Sequence, residues 1–467
     1  MAVAGGSGFV GTSIRQALGK SFRFRGLTRS EARVRSQDHT TETEWVLCDL
    51  FSLPQVEDAL AGADYALYLV HSMLPSSRLT QGSFSDLDLL LADNFARACR
   101  SAGVRHIVYL GGLIPETDQP LSDHLASRLE VETILRDSQI PLTVLRAGII
   151  FGPGGSSVRM LINLVRRLPV MILPKWTSSQ TQGVDIDHIS TAISMSLQQP
   201  EDYTGVFDLA SHPPMTYEQM IRQTAAFLGK ANRSLRFPAY SFSLSKYWIS
   251  GFSGVSPALV SPLIKSLKHN LEARENPLMA AVNAEPRSFQ DSLRKSVDAE
   301  GRPLHNPRRW TQPRDNQLIR KARHVRSVQR LPLPEGWDAI RIADEYGNWL
   351  TRKFKGFIRV PHQPGGILRF RLAWPNLVLL ELSPSNRTLT GERQVFYITG
   401  GLLARAHDNP SGRLEFRLVN HNREVLAAIH GFVPSLPWYI YEQTQARIHL
   451  WVMRAFGRFL RIQDPAN

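Results

Sequence analysis

Gly5-Gly6-Ser7-Gly8-Phe9-Val10-Gly11 is the stretch whose reading decides the fold. It lies between an apolar run, Met1–Ala4, and an amphipathic run, Gly11–Gly19. The first glycine permits a tight turn, the second lets backbone approach a pyrophosphate, and the third allows close helix–strand packing. A helix beginning there supplies unpaired N–H groups and a partial positive charge for phosphates. Gly5, Ser7, Gly8, Phe9, Val10 and Gly11 are therefore expected to cradle the phosphates of a dinucleotide. Met1–Ala4 leaves four residues for the first strand, which carries the expectation that the natural chain starts upstream of this sequence.

Outward from the loop, short apolar runs alternate with amphipathic ones. Strands are expected at Arg23–Leu27, Glu44–Leu47, Tyr65–Val70, His106–Leu110 and Leu142–Ile150. Helices are expected at Val56–Ala61, Asp86–Ala102 and Leu121–Ser138. This alternation implies an α/β domain over residues 1–150, a Rossmann-type doubly wound parallel sheet. Ligand then binds at the carboxyl ends of the strands. The second strand ends in Leu27-Thr28-Arg29-Ser30, with Arg33 and Arg35 close behind. An acidic residue there would hold the ribose 2′-hydroxyl of NAD, whereas a guanidinium pairs with a 2′-phosphate. The cofactor expected is NADP(H), with NAD(H) as the alternative, and Thr28, Arg29 and Ser30 are its phosphate contacts. The competing reading has Arg29 stacked on adenine.

The chain has 467 residues, long enough for two or three domains. Its 43% apolar and 21% charged content is that of a globular protein. Cys48 and Cys99 are the only cysteines and suggest a reducing, cytoplasmic setting. No motif with metal-ligand spacing occurs, and no apolar run reaches the length of a membrane span. The net charge of +14 is concentrated at Arg302–Arg330, read as a basic linker over 301–330. A peripheral contact with an acidic membrane surface is the alternative use of that charge, and nucleic acid ranks last.

Residues 151–300 read as a small substrate-covering subdomain, in which Thr216 caps a helix that stops at Gly229. Residues 331–467 read as a separate α+β domain, an antiparallel sheet with a long C-terminal helix. Its strands are expected at Phe354–Arg359, Gly366–Ala373, Leu377–Leu382, Gln394–Ile398, Arg413–Leu418 and Val425–Phe432. Turn signals fall at Pro364–Gly366 and Asn409–Gly412, and the helix at Pro437 to Arg461.

The spacing G-x-x-G-x-x-G resembles the extended and atypical short-chain dehydrogenases. Four further segments fit that resemblance: Cys48-Asp49-Leu50, Tyr68 to Met73, Leu145 to Pro153 and Val184 to Ile189. Together they resemble the NmrA-like, nucleoside-sugar-epimerase-like group, in the bacterial subgroup with an uncharacterised C-terminal domain. The resemblance implies that Asp49, followed by Leu50, bonds the adenine amine. It places Val70 and His71 beside the cofactor ribose, and Ala147 and Gly148 near the nicotinamide. The C-terminal order of strands and long helix is similar to a helix-grip, START-like domain, which implies an apolar ligand or a partner.

Catalytic members of the family use a Ser after the fifth strand and a Tyr-x-x-x-Lys on the next helix. Here Gly111-Gly112 follows that strand, and His124 and Arg128 occupy the Tyr and Lys spacing. One turn apart, they share a helix face. His124 is therefore the candidate acid/base and Arg128 the candidate anchor of cofactor or substrate. The alternative is that Arg128, Glu130 and Glu132 form an ordinary solvated run. His71 is a second candidate or a packed histidine. Asp185 and Asp187 are expected to fix a turn. The stripe Trp438, Tyr439, Tyr441, Trp451, Phe456 and Phe459 is expected to pack in the core, with a basic amphipathic contact with membrane, helped by Arg447, Arg454, Arg458 and Arg461, as the alternative. These readings imply an NADP(H)-dependent oxidoreductase for a quinone-like or small apolar substrate. A non-catalytic redox sensor or scaffold comes second, and a sugar-nucleotide epimerase third.

Overall fold

The computed structural model describes residues 1–35, 43–72, 79–168, 170–230, 234–237, 264–285, 287–304, 324–361, 364–385, 391–405 and 412–463. The chain forms two compact units, Met1–Leu74 with Leu91–Pro313, and Pro75–Leu90 with Arg314–Asn467.

The first unit opens with β1 (Ala2–Ala4), α1 (Phe9–Leu18), β2 (Phe24–Thr28), α2 (Glu31–Arg35), β3 (Thr43–Leu47), α3 (Leu53–Leu60) and β4 (Tyr65–Tyr68). The short strand β5 (Leu79–Gln81) belongs to the second unit, and the division between units falls inside α4 (Phe84–Ser101). Then come β6 (His106–Gly112), α5 (Asp123–Asp137) and β7 (Leu142–Ala147). Next are β8 (Ile149–Phe151), α6 (Ser156–Arg167), β9 (Met171–Pro174), β10 (Gln180–Thr181), β11 (Gly183–Asp185), α7 (Ile186–Gln198) and β12 (Gly205–Leu209). β13 (Met215–Thr216), α8 (Tyr217–Phe227), β14 (Ser234–Phe237), α9 (Pro277–Val282) and α10 (Phe289–Lys295) complete it.

The main sheet runs β3-β2-β1-β4-β6-β7-β12, with every neighbouring pair parallel. Strand order reverses between β1 and β4, so a crevice opens at their carboxyl ends. Val3, Leu67, Val108 and Leu145 are buried to 5% exposure or less and form one apolar layer with Ile189 and Ile193 of α7. The strand expected over Leu142–Ile150 is two strands. A Cβ on Gly148 would collide with the Gln182 carbonyl, and beyond this glycine β8 leaves the main sheet to pair with β11. Thr216 caps α8 through its hydroxyl and Gln219 returns the bond, while Gly229 takes φ +63°.

The second unit has β15 (Val325–Pro332), α11 (Ala339–Lys353), β16 (Ile358–Arg359), β17 (Leu368–Leu372), β18 (Val378–Pro384), β19 (Arg393–Gly400), β20 (Arg413–Val419), β21 (Glu424–Phe432), α12 (Trp438–Gln443) and α13 (Gln445–Ile462). Its eight strands run β16-β17-β18-β19-β20-β21-β15-β5, antiparallel except for the β15–β5 pair. The sheet is therefore mixed, not purely antiparallel. Residues 75–90 join this unit although the apolar pattern groups them with residues 1–150. Arg330 of β15 donates to Asp86 Oδ1 at 3.1 Å within it.

Three other expectations change. The basic stretch 301–330 ends inside β15, while residues 305–323 lie outside the described residues, as do Met73 and Asn409. The strand expected at Phe354–Arg359 is reduced to Ile358–Arg359, because α11 runs to Lys353 and Lys355 takes φ +50°. The single C-terminal helix is two helices. Thr444 breaks it at φ −119° and ψ −86°, and its hydroxyl donates to the Ile440 carbonyl at 2.6 Å. On one face of the sheet Tyr346 and Trp349 of α11 meet Phe456 of α13 at ring-centroid distances of 5.0 and 5.2 Å. No helix among the described residues is long and apolar enough to cross a membrane.

Two buried histidines of the first unit connect fold and pH. Thr143 Oγ1 donates to the Tyr203 carbonyl, so His106 Nε2 must be the donor to Thr143, at 2.8 Å. Ser292 Oγ donates to Asp185, so His212 Nε2 likewise donates to Ser292, at 3.1 Å. Burial pushes both imidazoles down from 6.5 to about 4. A group with a lowered folded-state value binds fewer protons folded than unfolded, so stability is full above pH 6.5 and falls from there towards pH 4. Thermal unfolding should shift down by several degrees between pH 7 and pH 5. A midpoint that stays flat over that range contradicts the assignment.

Candidate functional site

At the end of β1 the chain turns through Gly5, which takes φ +85°. Gly8 N donates back to Gly5 O at 2.8 Å, and Gly8 stands as N-cap of α1 without any side-chain cap bond. The first-turn N–H groups of α1 are thus not met by a capping side chain. A Cβ on Gly11 would stand 2.6 Å from Gly5 O and from Gly6 Cα, so α1 can sit this close to the loop only with glycine there. Phe9 lies against Gly152 and Gly155, where Cβ atoms would be 3.2 Å from its ring. Ser7 and Val10 are half-buried beside this turn. The cradle fits a pyrophosphate: open backbone, a glycine floor and the positive end of a helix.

Arg15, which the glycine pattern does not point to, holds the loop in place. It is 3% exposed, and its Nε donates to Gly6 O at 3.1 Å while Nη1 donates to Thr43 at 3.1 Å. Its guanidinium and that of Arg33 both lie 4.8 Å from the centre of the Trp45 ring. Thr28 and Ser30 at the end of β2 are buried, and Ser30 N donates to Thr28 Oγ1 at 3.2 Å. Arg29 is exposed between them. Arg33 is packed at 8% exposure, and Arg35, itself exposed, pairs with Glu31 at 2.7 Å.

After β3, Asp49 Oδ1 accepts from Phe51 N at 3.2 Å and the Leu50 carbonyl accepts from the buried Asn94 at 2.8 Å. These bonds fix the loop that faces the adenine side in the family resemblance. Cys48 beside it is buried, and burial pushes its thiol up to about 12. At the end of β4, Leu69 N donates to Ala4 O at 3.0 Å, and Val70 and His71 follow half-buried. At the end of β7, Ala147 O accepts from Leu113 N at 3.2 Å, and Gly148 begins the departure towards β8.

α5 brings its polar residues to the end of β4. Arg128 Nη1 donates to the Val70 carbonyl at 3.2 Å, and Tyr109 Oη donates to the Arg128 carbonyl at 3.1 Å. The His124 ring lies 4.9 Å from the His71 ring. His124 Nδ1 is 3.2 Å from Ser266 Oγ, which is itself 2.8 Å from Ser122 Oγ, the N-cap of α5. Val70, His71, His124 and Arg128 thus form one cluster. Gly112 ends β6 facing Arg128, where a Cβ would be 3.8 Å from its Cγ. The strand end that carries a Ser in catalytic relatives offers no hydroxyl.

A solvated run on α5 does not describe these residues. Arg128 and Glu132 are 6% and 2% exposed. Arg146 forms two bonds of 3.0 Å to Glu132, a buried pair that fixes α5 to β7. Asp185 fixes a turn as N-cap of α7, accepting from Asp187 N at 3.0 Å, and Asp187 pairs with Lys295 at 2.5 Å. Among the described residues no group of three metal-ligating side chains comes together. Ser122, Ser266 and Arg15 carry no motif in the sequence. Only an arginine in the first turns after a glycine loop, or a Ser just ahead of an amphipathic run, hints at two of them.

Residues 5–161 match the model of a family described as NAD(P)H-binding. The auxiliary protein GraX of Staphylococcus aureus is 27% identical over 179 residues, 38% of this chain and 53% of that protein. The chain therefore spans about half the length of this relative. Ceramide reductase of Caulobacter vibrioides is 28% identical over 245 residues, 51% of this chain and 73% of that protein. A nucleoside-diphosphate-sugar epimerase from Staphylococcus aureus superposes with a TM-score of 0.50 at 17% identity, over 62% of this chain and 97% of that one. Residues 5–161 are an NAD(P)H-binding domain, and the chain shares its fold with this epimerase. Gly11→Ala should lower NADPH affinity at least tenfold in a calorimetric titration, about 1.4 kcal/mol. Unchanged affinity would show that the loop does not hold the cofactor.

Proposed function

We propose that this NAD(P)H-binding chain is an NADP(H)-dependent reductase of a small apolar or quinone-like carbonyl compound. The observation that carries it is the cluster at the end of β4, where Arg128 bonds the Val70 carbonyl and His124 faces His71. This is the carboxyl end of the strand bordering the crevice, where a dinucleotide lies in this topology. The Caulobacter relative is named for reduction of a ceramide, an apolar substrate, which supports a reductase rather than an epimerase.

Residues fitting the cofactor are Gly5, Ser7, Gly8, Phe9, Val10 and Gly11 at the pyrophosphate, Asp49 and Leu50 at the adenine, and Ala147 and Gly148 at the nicotinamide. Thr28, Arg29 and Ser30 fit the 2′-phosphate, with the exposed Arg29 as its cationic partner. When bound, the reduced cofactor supplies a hydride. The chain's own part is the proton and the geometry. His124, held through Nδ1 by Ser266, presents Nε2 as the acid for the substrate oxygen. Arg128 holds the Val70–His71 wall and places positive charge where the oxyanion develops.

Loss of NADPH absorbance with a panel of quinones and apolar aldehydes tests this reading. Turnover that falls about a hundredfold in His124→Ala supports it, and unchanged turnover removes His124. Ser266→Ala should shift the alkaline limb of the kcat profile, where the acid loses its proton, because a positioning residue acts through the imidazole. Arg29→Glu should weaken NADPH binding while leaving NADH binding nearly unchanged. A second reading rests on Gly111-Gly112 in place of the usual Ser: a redox sensor that binds the cofactor without turnover. Binding without turnover across the panel, with different affinities for NADP+ and NADPH, favours that reading.

A further inference from the structure

The aromatic residues of the second unit divide into two sets. Tyr441, Phe456 and, partly, Phe459 pack in the core as the sequence pattern suggests. Trp438 and Trp451 do not: they are 38% and 48% exposed, and Trp374 is 81% exposed. Soluble surfaces rarely present large apolar side chains in one connected patch without a partner.

Hydrogen bonds show that these residues lie at one end of the sheet. Phe357, 57% exposed, has its carbonyl bonded by Ala373 N at 2.8 Å, next to Trp374 on the β17–β18 turn. Across that hairpin Leu402 N donates to Val378 O at 3.0 Å, and Ser435 N donates to Leu403 O at 3.1 Å, just ahead of Trp438. Phe354 touches Trp451 at 6.1 Å between ring centres, and Lys353 Nζ lies 5.9 Å from the same ring. The patch thus continues onto α13.

Its charge is mostly positive, with Glu442 of α12 as an exposed acidic residue beside it. From Tyr346 to Leu380 the chain has six basic residues and no acidic one, although Arg352 and Arg369 pair with Glu345 and Glu381 just outside that span. α13 carries four arginines and no acidic residue. Arg447, Trp451, Arg454, Arg458 and Arg461 recur at intervals of four and three and are all exposed, so they share one solvent-facing stripe. The opposite face of the helix is already buried against the sheet.

We propose that this end of the second unit docks on an anionic lipid bilayer, with Trp374, Trp438 and Trp451 at the headgroup level and the arginine stripe on the lipid phosphates. Tryptophan favours the bilayer interface, and each surface arginine adds attraction to anionic headgroups. Aliphatic members of the patch, Ile448 at 60% exposed and Leu402 at 54%, have no stacking face for a nucleobase but fit an acyl boundary. A lipid surface therefore accounts for both parts of the patch, where a nucleic acid accounts only for the charge.

Sedimentation of the full chain with vesicles tests this directly. Phosphatidylcholine vesicles with about 30% phosphatidylserine should bind it, and pure phosphatidylcholine should bind at least tenfold less. Salt at about 0.5 M should release most of the protein, and tryptophan emission should move to the blue on binding. The double variant Trp374→Ser, Trp451→Ser should lose at least tenfold in vesicle affinity, as should Arg454→Glu with Arg458→Glu. All four positions are exposed, and an unchanged circular-dichroism spectrum and thermal unfolding profile of the full chain check that each variant is folded. Absence of vesicle binding, equal binding to both vesicle types, or tighter binding to a single-stranded oligonucleotide overturns the proposal. So does a stable dimer that shields these tryptophans and shows no affinity for vesicles.

Discussion

Helix α1 can reach the end of β1 only because position 11 has no side chain, and the site of the first unit is arranged around that approach. A methyl group there would stand 2.6 Å from the Gly5 carbonyl oxygen, well inside van der Waals contact. Once the helix is seated, its N-terminal N–H groups face the crevice where strand order reverses between β1 and β4. Arg15 then bonds the loop from below through the Gly6 carbonyl, so the turn is held from its own helix. The loop is thus held in one conformation before any ligand arrives.

The second half of the site depends on α5 in the same way. Its inner face carries Ser127, Arg128 and Glu132, polar residues that a core helix would normally avoid. Arg128 donates to the Val70 carbonyl and Glu132 accepts two bonds from Arg146. Burying an ion pair brings little stability by itself, but it fixes geometry strictly. The result is that His124 and Arg128 point at the β4 end with little freedom to turn away.

Legibility in the sequence follows the range of the interactions. The glycine loop, the parallel sheet and the Thr216 cap are local patterns, and each is readable from neighbouring residues. The arginine at the end of β2 is readable for the same reason. What escapes is whatever depends on distant contacts. α11 has a clear cap at Asp338 and an apolar stripe, yet it sits among strands and is hidden by the period-2 expectation around it. The split at Gly148 depends on the Gln182 carbonyl, and the Ser266–His124 contact joins residues 142 positions apart. The aromatic stripe near the C-terminus divides between core and surface within each helix, Tyr441 and Phe456 facing inward and Trp438 and Trp451 outward, a division that the stripe read as one unit does not show.

The strand β5 gives the chain an order of assembly. Leu79–Gln81 leaves the ribosome long before β15, its partner in the sheet, and Asp86 waits for an arginine 244 positions later. During synthesis this segment is an unmatched sheet edge, the kind of surface that recruits chaperones or strays into foreign pairings. Its brevity, three residues with Thr80 and Gln81 among them, limits that hazard. The two units are also interlaced in the gene: no single cut in the coding sequence separates them with both sheets intact.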